Sequence, residues 1–246
     1  MSDMSTTLQA LWQDIPETES IRYRLYHVLR QSIIKMVLAP GKALSEKEVA
    51  STFSISRQPV RETFIRLSEA GLVEVRPQRG TYVVKISRRA VLEARFIREA
   101  VEVAIVLEAA KAQLPAADIM ELNELVLRQK SCIERQDHDR FFILDEMFHR
   151  RLAFSTGQAM AWSVIENAKA QLDRVRYLSI PDSTPIAKLA DQHQSIVNAI
   201  AEADAPGAAK AMSLHQREIL QSLPELEHRF HDMFEETATP ITRHVG

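Results

Sequence analysis

Strand-like patterning is confined to one short stretch of this chain. Runs rich in β-branched residues at 72–75 and 81–86 flank the turn sequence RPQRG at 76–80, and from residue 87 onward no strand-like alternation of any length occurs. Such a chain is limited to a small helix-and-hairpin unit followed by an all-α body.

The residues ahead of the hairpin read as three helices. Ile21, Leu25, Val28, Leu29 and Ile33 fall at helical spacing, which turns Arg22, Arg30 and Lys35 mainly outward, and LAPG at 38–41 stops the helix. Ser45 with Glu48 forms a capping box for a short helix through Phe53. Ser56 repeats the cap for a helix over 57–70, with Pro59 in its first turn, Val60, Phe64 and Leu67 inward, and Gly71 ending it. Three helices and a basic hairpin make a winged helix-turn-helix. Its second short helix would enter a DNA major groove presenting Ser56, Arg57 and Arg61, the arginines one turn apart, while the wing with Arg76 and Arg79 reaches the backbone or minor groove.

Charge supports the division. Residues 20–90 carry 14 basic and 5 acidic side chains, a net +9, against a whole-chain balance of 31 basic and 33 acidic; the remainder therefore carries −11. A basic module joined to an acidic one suits an anionic-polymer binder with a second domain of another purpose. The single cysteine, Cys132, excludes a disulfide framework and thiolate zinc sites. The start has no basic n-region, and no apolar run approaches the roughly 20 residues that span a bilayer, so the expectation is a cytoplasmic protein without a membrane segment.

Beyond a linker at Ser87, helical patterns are expected over 90–113, 116–135, 138–155, 159–178, 185–203 and 206–223, an antiparallel bundle ended by Pro224. The expected divisions are an N-terminal extension at 1–19, the winged helix at 20–86, an all-helical bundle at 87–224, and a tail at 225–246 that extends the last helix or frays. Asp145 and His149 share one helix face, and His193 and His215 fall in mid-helix, so three helices can bring one carboxylate and three imidazoles together; packed or exposed histidines are the other reading. Trp162 suits core and pocket equally.

The sequences LSEKEVA (44–50), SRQPVRE (56–62), LSEAGLV (67–73) and PQRGTYV (77–83) resemble the GntR family of bacterial transcription regulators. Gln58 departs mildly, standing where threonine or methionine is more usual. The resemblance implies operator contacts by Lys47, Ser56, Arg57, Arg61, Arg79 and Gly80. The sequences ARFIREAVE (94–102), DEMFH (145–149) and DQHQSIVNAI (191–200), with His215, resemble the FCD effector domain of the FadR-type branch. That resemblance implies a divalent transition metal on Asp145, His149, His193 and His215, zinc first, with nickel, iron or manganese as alternatives. It also implies a small carboxylate or sugar-acid effector beside the metal, with Arg95 facing the cavity unless it serves a helix-surface or interhelical salt bridge. Arg150, Asn167, Arg174 and Tyr177 are candidate polar lining, and LDRVR at 172–176 leaves open which arginine turns inward.

Together these readings imply a homodimer on a near-palindromic double-stranded operator, released by its effector to relieve repression of catabolic genes; activation is the other sign. A regulator with a purely structural metal is the nearest alternative. A metal-dependent hydrolase or isomerase is disfavoured, because no nucleophile-and-base motif accompanies the ligand residues and Glu146 points about 100 degrees away from Asp145 around the helix.

Overall fold

The computed structural model describes residues 2–182 and 184–236. Its N-terminal part comprises α1 (Ser2–Gln13), α2 (Ile21–Ile34), β1 (Ala43–Leu44), α3 (Glu46–Thr52), α4 (Arg57–Glu69), β2 (Val73–Arg76) and β3 (Gly80–Val83). The strands form an antiparallel sheet in the order β1-β3-β2, with Val73 opposite Val83 and Arg76 opposite Gly80. Gly80 takes φ +106°, a conformation open to glycine, and closes the wing where a side chain would be strained. Leu25, Leu29, Ile33, Val60, Phe64, Leu67, Leu72 and Val83 share one core beneath the sheet, the helical faces expected from spacing.

Local caps explain the boundaries. Ser20 Oγ accepts from Tyr23 N at 3.2 Å and Ser45 Oγ from Glu48 N at 3.4 Å. Ser56 occupies the N-cap of α4 in an extended conformation, but its hydroxyl makes no capping bond and stays exposed. The stretch ahead of α2 is structured: Leu8 is buried, Trp12 packs 4.7 Å from Phe53, and Arg24 lies over the Trp12 ring.

The remainder is all α-helix: α5 (Arg88–Ala112), α6 (Ala116–Arg135), α7 (His138–Ser155), α8 (Ala159–Ala168), α9 (Ala170–Ser179), α10 (Ile186–Ala201), α11 (Ala205–Arg217) and α12 (Ile219–Arg229). Asp137 and Asp204 cap α7 and α11 through their carboxylates. Two expected boundaries differ. The helix expected over 159–178 breaks at Lys169, whose buried ammonium bonds Glu146 at 3.0 Å and Asp173 at 2.5 Å. The last helix is also interrupted at Glu218 and then continues through Pro224 to Arg229. Pro224 lies deep enough in α12 to leave the Leu220 carbonyl without its usual donor, and packing of Ile219, Leu223 and Leu226 holds the segment helical regardless.

The chain beyond α12 returns to the inter-module linker. Ile86 N donates to Met233 O at 2.8 Å, Glu235 N donates to Ile86 O at 3.0 Å, and Phe234 is buried against them. Arg30 corrects the outward assignment of its helix face. It is only 3% exposed, because the face of α2 that turns away from the winged-helix core packs on α9. No helix among the described residues is long and apolar enough to cross a membrane.

Candidate functional site

Helices α7, α10 and α11 bring Asp145, His149, His193 and His215 to one buried point, their candidate ligand atoms all within 4.8 Å of one another. His215 Nε2 lies 3.1 Å from His149 Nε2 and 3.3 Å from His193 Nε2. Asp145 Oδ1 faces His193 Nε2 at 3.6 Å and His149 Nε2 at 4.0 Å, and it is buried without a hydrogen-bond partner.

The outer ring nitrogens show why the Nε2 atoms point inward as lone pairs. Gln129 donates through Nε2 to Leu144 O at 3.1 Å, so its Oε1 must accept from His193 Nδ1, 2.7 Å away. Gln192 donates to Glu218 Oε2 at 3.0 Å, which leaves its Oε1 to accept from His215 Nδ1 at 3.1 Å. His149 Nδ1 touches Glu102 Oε2. Burial pushes all three imidazoles below their ordinary range, His193 to about 3, so they are neutral at pH 7. Burial alone would raise Asp145, but the Arg176 guanidinium outweighs it and holds the carboxyl well below the usual range. Inward lone pairs and a partnerless carboxylate oxygen repel one another unless a cation lies between them. The residues fit a divalent metal.

A small cavity opens beside the tetrad, lined by Arg98, Asp145, Arg176, Thr184, His215 and Glu218 among others. Arg98 is buried and paired with Glu102 at 2.5 Å, while Arg176 bridges Asp145 and Asp173. The arginines expected from sequence lie elsewhere. Arg95 pairs with Glu99 beside a separate groove on α5. Arg150 lies 5.2 Å over Phe154 on another face of α7, and Asn167 is exposed on α8. Arg174 is buried, donating to Val84 O at 3.0 Å, and burial lowers its pKa to about 10. Tyr177 donates to Asp139 at 3.0 Å beside a different hollow, and Trp162 is core. The inward cations were within reach of the sequence: Arg98 follows Arg95 by three residues, and Arg176 ends the LDRVR stretch. No spacing signal marked Gln129 or Glu102.

On the winged helix, Lys47, Ser56, Arg57, Arg61, Arg79 and Gly80 are all exposed, on α3, α4 and the wing. Arg61 donates bidentately to Glu46 at 3.1 and 3.2 Å, so it would exchange a carboxylate for any DNA contact. Tyr82 Oη donates to Arg79 O at 2.8 Å and braces the wing tip.

Residues 22–83 match the bacterial regulatory proteins of the gntR family, and residues 93–218 match the FCD domain. The HTH-type transcriptional repressor RspR of Escherichia coli is 41% identical over 219 residues, spanning 89% of this chain and 96% of that protein. The gluconate operon transcriptional repressor of Bacillus subtilis is 24% identical over 198 residues, 78% of this chain and 80% of that one. Among solved structures, E. coli McbR/YncC aligns with a TM-score of 0.72 at 19% identity, covering 86% of this chain and 99% of its own. A GntR-type regulator from a Rhodococcus species aligns with a TM-score of 0.68 at 22% identity, covering 82% and 98%. At such identities the structural likeness concerns the fold alone, whereas the sequence matches establish kinship with transcription factors rather than enzymes. The chain belongs to the GntR family of transcription regulators, with an N-terminal helix-turn-helix module and a C-terminal FCD effector-binding domain.

Proposed function

We propose that this chain is a repressor of catabolic genes whose hold on a near-palindromic operator is set by a small carboxylate or sugar acid bound beside a divalent metal. One observation carries the effector half: three imidazole Nε2 atoms and the partnerless Asp145 Oδ1 converge against a cavity that holds two guanidinium groups. Both relatives described above are named as repressors, the second of them of a gluconate operon.

In this reading residues 20–86 bind DNA, and residues 87–224 bind the effector and pair two subunits in the cytoplasm. A two-fold dimer would set its recognition helices in successive major grooves. Arg57 and Arg61 would reach base edges, and Lys47, Ser56, Arg79 and the Gly80 backbone would hold phosphates. Asp145, His149, His193 and His215 would hold the metal, zinc before nickel, iron or manganese. When bound, such a cation supplies a Lewis-acidic position for one effector oxygen. Arg98 and Arg176, rather than Arg95, Arg150, Asn167, Arg174 or Tyr177, would clamp the carboxylate, since a guanidinium fork matches its geometry. The effector acts only through differential affinity for the DNA-competent and DNA-incompetent arrangements.

The test is to select an operator from genomic fragments and measure its affinity over a panel of sugar acids, hydroxy acids and dicarboxylates, with zinc or with chelator. At least one acid is expected to weaken binding by about tenfold, and only with zinc present. Affinity indifferent to the whole panel would overturn the effector half and favour a purely structural metal.

A further inference from the structure

Helix α9 carries a buried row of charges that runs from the tetrad to the winged helix. Arg176 donates through Nη2 to Asp145 Oδ2, the oxygen opposite the one that faces the imidazoles, and through Nη1 to Asp173 Oδ1 at 3.3 Å. Asp173 Oδ2 in turn accepts from Arg30 Nη2 at 3.0 Å. Arg30 belongs to α2 of the DNA-binding module and lies 143 positions away in sequence. Lys169 completes the cluster between Asp173 and Glu146. Arg30 and Asp173 are 3% and 0% exposed, so little water screens the row.

We propose that Arg176 and Asp173 form an ionic relay through which charge at the tetrad sets how firmly the winged helix docks on the effector domain by way of Arg30. The proposal rests on the reading of the tetrad as a metal centre. The cluster holds three cations, Arg30, Lys169 and Arg176, against three anions, Asp145, Glu146 and Asp173. Once Asp145 shares Oδ1 with a divalent cation, it has less negative charge for Arg176. Arg176 then leans on Asp173, and Asp173 holds Arg30 less firmly. Arg30 is the member that can leave, because it belongs to the other module. An organic anion reaching Arg176 from the cavity restores the balance and re-docks Arg30. By linkage, the same coupling must be visible at the tetrad.

Zinc affinity of the full-length protein, measured by chelator competition, tests the relay with variants that leave all four candidate ligands intact. Arg30→Gln removes a positive charge from the row and is expected to tighten zinc about fivefold, with Arg30→Lys close to wild type. Asp173→Asn leaves Arg176 wholly to Asp145 and is expected to weaken zinc about fivefold; both values sit at the lower end of typical coupling between sites. In the Asp173→Asn background, Arg30→Gln should change nothing further, because the contact between them is already gone. Equal zinc affinity in wild type and Arg30→Gln overturns the relay, and so does simple additivity of the two changes, which would indicate a diffuse field. Hydrogen exchange of the wild-type protein covers the case in which a variant does not fold. Zinc should protect α7, α10 and α11 around the tetrad while increasing exchange in α2 around Arg30. Protection at the tetrad with no change in α2 overturns the relay alone; no zinc binding in the wild type overturns the metal reading and the relay with it.

Discussion

His193 and His215 face each other Nε2 to Nε2 at 3.3 Å, each with its Nδ1 held by a glutamine carbonyl whose own amide is anchored elsewhere. Two neutral imidazoles aimed at each other by their lone pairs are an uncomfortable pair without a cation between them. The glutamines therefore set the tautomers, not merely the packing.

Gln192→Leu tests this directly. It removes the acceptor for His215 Nδ1 while keeping side-chain size, and the His215 ring becomes free to turn or to change tautomer. Zinc affinity is expected to fall between about 10-fold and 100-fold, the usual cost of losing such an outer partner. His193→Ala should lower the metal content of protein purified without chelator, as read by elemental analysis. If Gln192→Leu binds zinc as tightly as wild type, the tautomer argument fails.

The buried imidazoles also give the metal-free protein a definite pH response. In the unfolded chain a histidine takes up a proton near its ordinary pKa of 6.5, whereas the folded protein resists that proton down to about 3 at His193. His149 and His215 are lowered as well. Below pH 6.5 the unfolded state therefore binds more protons, and stability falls as pH falls. The slope is about 1.4 kcal/mol per pH unit for each such histidine, until the folded form protonates too. Thermal unfolding of chelator-treated protein between pH 7.5 and pH 5 is expected to show Tm dropping steadily, and His215→Ala should flatten the curve. A Tm independent of pH across that window would contradict neutral burial.

On the DNA side, Arg57 and Arg61 differ in a way that spacing does not show. Arg57 is exposed in the first turn of α4, and Arg61 is occupied by Glu46. Arg57→Ala should cost about 1–3 kcal/mol of specific operator affinity with zinc content unchanged. Glu46→Gln should release Arg61 and raise affinity for non-operator DNA, with a steeper dependence on salt. Fluorescence anisotropy at two or more salt concentrations reads both; an Arg57→Ala protein with wild-type operator affinity would remove α4 from the recognition role.

The sequence exposed much of this architecture because its signals are local. Ser45 with Glu48, Gly71, Pro115 and Asp137 mark helix ends through contacts a few residues long, and the hairpin is bounded by its own turn chemistry. The tetrad could be suspected because Asp145 and His149 lie one turn apart and the other two histidines fall in mid-helix. What spacing could not resolve was rotation. Arg95 and Arg98 lie about 60 degrees apart around α5, and Arg174 and Arg176 about 160 degrees apart around α9; only packing decides which member of each pair turns toward the tetrad, and Arg174 is buried against the linker instead. Arg30 shows the other limit: a residue that is polar and outward within its own module becomes buried when a second module covers that face.

The C-terminal segment yields the last prediction, since nothing in its sequence indicates where it docks. Phe234 is 4% exposed against Ile86, Val91 and Leu226, and backbone bonds to both sides of Ile86 tie the segment to the linker between the two modules. Phe234→Ala removes the apolar anchor of a short segment that can peel away on its own. The loss is then bounded by the free energy of docking rather than by the 3–5 kcal/mol typical of a core phenylalanine. The Ile86 amide, which donates to Met233 O, should exchange with solvent at least tenfold faster in this variant, about 1.4 kcal/mol of local opening, while amides of α4 keep their wild-type protection. Unchanged Ile86 exchange would mean that the linker amide is shielded without the tail. Faster exchange throughout α4 would mean that the tail stabilises the winged helix itself, through the linker it covers.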